Sequence, residues 1–321
     1  MNVQSKENVG AVKRINYRKR NRALFFASVV VIPVLQFCIC YIYVNINSFI
    51  LAFQHYDYAK SGLGFDITFV GFQNFKEAMS LILERPHYLV NSLKLFFWTT
   101  GIGLTLALLF SYYIYKKYPM AGLFRVVLFI PKILSGVVFC LLFRCIVDEV
   151  YPNMANMLFN KNVELGLLDN PETRLGAVLF FSVWVSFGVN VLMFSGSMSG
   201  IDESIVESAQ LDGTNAVQEF IFITVPMIWP TFVSFFVINL TGLLTDQMHL
   251  HTFFDTRAGE LATFGYYLYL NSAGGELIAL GNTKYPTFPV QAAMGLIMTA
   301  VMLPLTLGIR KALRKFGPSV D

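Results

Sequence analysis

Phe232, Phe235, Phe236 and Asn239 recur at helical spacing and put aromatic faces and an amide on one strip. Those groups suit a polyhydroxylated ring, whose C–H faces stack on aromatics while an amide hydrogen-bonds the hydroxyls. The same strip serves equally for packing against helices or lipid. Ser182, Ser186 and Asn190, each four residues apart, form a polar stripe that should face protein, meeting either a ligand or another helix. His249 and His251 make a His-x-His without a third ligand, so a metal is not expected. Cys38, Cys40, Cys140 and Cys145 all fall in apolar stretches and read as small buried hydrophobes. No Ser-His-Asp, paired-acid or Cys-His arrangement stands out, and no G-x-x-x-x-G-K-[ST] loop is present. The chain is expected to carry no catalysis and no cofactor of its own.

The elements that position these residues are apolar. Of 321 residues, 55% are hydrophobic and 14% charged, against roughly 25% charged in soluble domains. The mean hydropathy is +0.57. Much of the chain is therefore solvated by lipid, and no basic patch suggests nucleic acid. Six segments reach the length of a bilayer span: 23–53, 90–115, 123–147, 175–198, 221–244 and 285–309. The first is too long for a cleavable signal and has no small-residue cleavage site, so it is read as a retained span. None of the six contains Asp or Glu. Lys94 and Lys132 lie within spans, at a cost of about 2.5–3.5 kcal/mol each unless they snorkel, pair or line water. Gly196 and Gly200 form G-x-x-x-G, read as close helix packing.

Positive charge sets direction. With the N-terminus inside, 14 of the 24 Lys and Arg fall on inside segments, and seven on the longer outside loops 54–88, 148–174 and 245–284. Both termini are thus expected in the cytoplasm: a basic segment 1–22 and a tail 310–321. One inside loop breaks the pattern. "ESAQLDGTNAVQEFIFITVP" (207–226) has no Lys or Arg, and acids line the loop at Asp202, Glu203, Glu207, Asp212 and Glu219. Asp202 predicts an N-cap, Ile201, Ile205 and Ala209 an apolar face, and Gly213 a helix stop. Thr214 or Asn215 predicts the cap of a second helix running into the fifth span. A helix–turn–helix that does not bind headgroups suits docking into a groove on a soluble partner.

Glu207-Ser208-Ala209, then Gly213, Ile223 and Val225-Pro226, resembles the Glu-Ala-Ala…Gly…Ile-x-Leu-Pro signature of inner-membrane permeases of binding-protein-dependent ABC importers. Ser replaces one Ala and Val replaces Leu. The loop also lacks the basic residues that many relatives carry before the Ile. "FVGFQNFKEAM" (69–79), "GLFRVVLFIPKILSGVV" (122–138) and "FGYYLYL" (264–270) resemble segments of the carbohydrate permeases of the maltose and glycerol-phosphate type; Lys132 is unusual there. The resemblance covers about residues 24–316. It implies an all-α integral membrane fold: a first helix over 23–53, then a type I permease core over 89–309 containing the coupling loop 199–226. It implies Glu207, Ser208, Ala209, Gly213, Ile223 and Pro226 as the coupling loop. Phe235, Phe236, Asn239 and Asn190 are the candidates for a sugar pathway. The implied partners are a second homologous permease, two ATP-binding subunits that hold ATP and Mg, an extracytoplasmic binding protein and a carbohydrate. The implied location is the bacterial plasma membrane. An ion-coupled transporter or a membrane enzyme is the alternative; the first tends to place acids within spans, the second to cluster catalytic polar residues at one interface.

Overall fold

The computed structural model describes residues 21–22, 24–61, 64–159, 163–272 and 288–318. Most of the basic segment 1–22, the start of the sixth span at 285 and part of the loop 245–284 lie outside them. The chain forms two compact units, Met1–Lys76 with Phe288–Leu296, and Glu77–Thr287 with Ile297–Asp321.

In the first unit, α1 (Leu24–Leu51) is a single apolar helix long enough to cross a membrane. It is followed by an antiparallel hairpin, β1 (Gln54–Ser61) and β2 (Gly64–Phe69), in which Gln54 pairs with Phe69 and His55 with Thr68. The expectation of an all-α fold, with 54–88 as an outside loop, did not include this hairpin. Phe65, Ile67 and Phe69 alternate with Asp66 and Thr68, the period-two pattern of a strand, and a reading by span length passes over so short a run. Asn74, at the start of α2 (Gln73–Glu84), donates to the carbonyls of Ala52 and Gln54 at 2.9 and 2.8 Å. It thereby satisfies the frayed end of α1.

The second unit is built around α6 (Arg174–Met198), apolar apart from a narrow polar stripe and packed on more than one side. Its first half packs with α5 (Gly136–Leu158) and residues 250–270: Phe139, Phe143, Phe181, Leu250 and Phe253 form one core. Its second half packs with α3 (Pro86–Tyr115) and α8 (Ala216–Gly242) through Leu104, Phe187, Phe194 and Ile228. Ser111 donates to the Val191 carbonyl at 3.1 Å, and Ser197 and Thr231 share a 2.9 Å hydrogen bond. These polar ties join helices where lipid offers no hydrophobic drive. Trp229 of α8 donates to the Leu313 carbonyl in α11 (Phe288–Phe316) at 2.9 Å. Of the short helices, α9 (Leu250–Phe254) lies against α5, and α10 (Phe264–Ser272) lies against the start of α3, where Ser92 accepts from the Phe264 N–H at 3.0 Å.

The third segment departs from expectation. A straight span over 123–147 is replaced by α4 (Ala121–Ile133) and α5, bent by 105° between them. Pro131 removes one ladder bond and the Ser135-Gly136 pair supplies a weak joint. Helix α5 then runs on into what was expected to be the loop 148–174. Helix α4 is clamped to α6 at Gly188, where any Cβ would strike the Leu128 carbonyl.

Candidate functional site

The segment between α6 and α8 folds as two helices around a glycine. Asp202 caps α7 (Glu203–Leu211), accepting from the Ser204 N–H at 3.0 Å and its hydroxyl at 2.9 Å. Those two donors hold the Asp202 carboxyl below the usual aspartate range. Gly213 then takes φ +83°, and the Thr214 N–H closes back on the Ala209 carbonyl at 3.1 Å. Asn215 caps α8 by accepting from Val217 and Gln218 N–H at 3.1 and 2.9 Å. Gln218 returns the bond to the Asn215 N–H at 3.0 Å. Of the two residues expected to cap, Asn215 does so, and the Thr214 hydroxyl donates to Ala209 instead.

Helix α7 buries Val206, while Ile205 stays 40% exposed and Ala209 half-buried. The expected Ile201–Ile205–Ala209 face is therefore rotated. Helix α7 has few apolar residues, and the turn at 199–201 sets its roll. Glu207, Ser208 and Gly213 are exposed, and apolar Leu211 and Val217 project beside them at 89% and 66% exposure. Ile223 is half-buried in the wide turn Phe220–Thr224 of α8. Pro226 opens the regular helix after it, where a missing N–H is tolerated.

Two residues outside the expected site hold this loop. Lys116, just past α3, forms an ion pair with Glu219, which is 3% exposed. The Tyr112 hydroxyl donates to the Ala216 carbonyl at 3.0 Å, and its ring meets Phe220 with centroids 5.0 Å apart. The sequence did signal the pair: an acid set against an apolar run, and a Lys closing another span.

A cavity of about 280 Å³ lies among α3, α6 and α8. Thr99 and Thr100 reach it from a wide turn of α3, Phe97–Ile102, a geometry frequent at functional sites. Ser182 and Ser186 come from α6, Asn239 from α8, and Asp246 and His249 from the segment after α8. Among the described residues the Ser182 hydroxyl has no hydrogen-bond partner. Hydroxyls, an amide and one carboxylate can hydrogen-bond a polar ligand from several sides. Asn239 and the serine stripe thus meet in one place. Phe235 and Phe236 do not line the cavity; they pack edge-on against Phe194 and Phe96, at 5.3 and 6.1 Å. Asn190 is buried on α6 away from it. Lys94 and Lys132 are both exposed.

Residues 99–320 match the family described as binding-protein-dependent transport system inner membrane component. The arabinooligosaccharides transport system permease protein AraP of Bacillus subtilis is 28% identical over 218 residues, 65% of each chain. The chain therefore spans just under two thirds of that relative's length. The AraP of Halalkalibacterium halodurans is 27% identical over 80% of this chain and 83% of its own. A bacterial alginate ABC transporter, solved in complex with an alginate pentasaccharide-bound periplasmic protein, superposes one chain with TM-score 0.73. That match has 18% identity and covers 94% of this chain and 99% of that one.

Proposed function

The chain belongs to the binding-protein-dependent transport system inner membrane component family, and on that premise we propose that it forms half of a sugar-import pathway in the bacterial plasma membrane. A second homologous permease supplies the other half. Two ATP-binding subunits carry ATP and Mg, and one of them receives α7. An extracytoplasmic binding protein delivers the cargo, a sugar or oligosaccharide, and both termini are cytoplasmic. The names of the AraP relatives and of the alginate transporter support a carbohydrate cargo. The hydroxyl and amide groups around Asn239 are of the right kind to hold one.

The observation that carries this reading is the capped helix–Gly213–helix loop, with Glu207 and Ser208 exposed and a core that holds it in place. Its test is purification of the tagged permease from native membranes, identification of co-purifying chains, and reconstitution in vesicles. A second permease and an ATPase are expected, with uptake of labelled arabino-oligosaccharides only when vesicles contain ATP and the binding protein is present outside. Uptake driven by an ion gradient without ATP would replace this reading with a secondary transporter.

A further inference from the structure

The loop is fastened to α3 as well as to α8. Helix α8 continues from the loop through Phe220–Thr224 without a break, which is the direct route into the bundle. The lateral fastening is made of four side chains. Glu219 points inward from the first turn of α8, and Lys116 meets it from the end of α3. The Lys116 ammonium also lies 5.7 and 5.6 Å from the ring centroids of Tyr112 and Tyr115. Its charge is thus held by a carboxylate and two aromatic faces. Tyr112 lies beside the Glu219 carboxylate and binds the Ala216 carbonyl. A carboxylate this buried and tied to one cation stays put only while that cation is present.

We propose that Lys116 and Glu219 form a positioning clasp that makes α3 move with the first turn of α8 when α7 is displaced. The proposal rests on the docking of α7 to an ATPase. Helix α3 carries Thr99 and Thr100 into the cavity, so the clasp gives the loop a second path to the cavity wall, one that leaves α8 at its first turn instead of running along it. Breaking it leaves docking intact, because neither residue is on the exposed side of α7. ATP hydrolysis then continues while the cavity wall lags.

The test uses full-length permease, free of native cysteines, with spin labels at Tyr118 and at the exposed Phe222, alone and in complex with its ATPase. The variants are Glu219→Gln, Lys116→Met and the exchanged pair Lys116→Glu with Glu219→Lys. Three quantities are read: the label-to-label distance distribution, ATPase retained, and uptake of labelled arabinotriose per ATP hydrolysed. Each single variant is expected to broaden the distribution and to lower uptake per ATP about tenfold, within the usual range of coupling between sites. ATPase is retained, and the exchanged pair restores both quantities. An unchanged distribution in the single variants overturns the clasp, as does a broadened one with parental uptake per ATP. If the parental permease retains no ATPase, the docking reading fails instead, and the distribution alone still decides whether the clasp exists.

Discussion

At Gly213 conformation and bulk separate cleanly. A Cβ there meets nothing within 4 Å, yet φ is +83°. Substitution therefore acts through backbone strain of about 1–2 kcal/mol, and the order of damage is Asn, then Ala, then Val, since Asn tolerates the left-handed region. Uptake and ATPase retention, measured across the three variants, should fall in that order; Ala as the mildest of the three, with Asn and Val both worse, would point to bulk instead. Ala209→Trp is expected to act by bulk, pushing α7 off the proposed ATPase groove, so that co-purification of the ATPase falls while the permease is still found in the membrane fraction. Glu207→Lys reverses an exposed charge that is expected to face donors on the partner. It should loosen the complex at low salt and less so at high salt, which co-purification across a salt series checks. In the cavity, Asn239→Leu removes the amide without removing a core contact. It is expected to raise the apparent KM for uptake several-fold while the ATPase still co-purifies; parental kinetics would take Asn239 out of the pathway.

The elements were legible to different degrees, for physical reasons. Spans such as 175–198 could be read because apolar length alone specifies them, and α6 begins within a residue of its expected start. The loop was equally plain, since Asp202, Gly213 and Asn215 are local signals that act on their own neighbours. The bend between α4 and α5 was not, because hydropathy summed over a window carries no direction. Pro131 and Ser135-Gly136 were its only trace. The cavity was half legible: the Ser182–Ser186 stripe and Asn239 have helical period, but Thr99 and Thr100 arrive through a local widening of α3. Asp246 and His249 arrive from an irregular segment, and no period marks either. The caps give the element-scale prediction. Asp202→Ala and Asn215→Ala should each cost their helix about 1 kcal/mol. Hydrogen exchange should quicken in 203–211 for the first and in 216–219 for the second, with α6 unaffected.

The whole molecule has a direction across the membrane that charge predicts. In a background lacking the four cysteines, Glu172→Cys should label from outside intact cells and Ser204→Cys should not. The reverse would invert every assignment of the coupling loop. The bent third segment also bears on how the protein is made. Helix α4 has 13 residues, about 20 Å of helix at 1.5 Å per residue, against a hydrocarbon core of about 30 Å. Alone it cannot cross. The Leu128 backbone is seated at Gly188, on a helix synthesised sixty residues later, which at 5–20 residues per second is a wait of several seconds. During that interval the nascent chain holds an unfinished span at the insertion machinery. Ribosome-arrested chains ending before residue 188 should therefore keep α4 crosslinked to the translocon, and chains extended past α6 should release it.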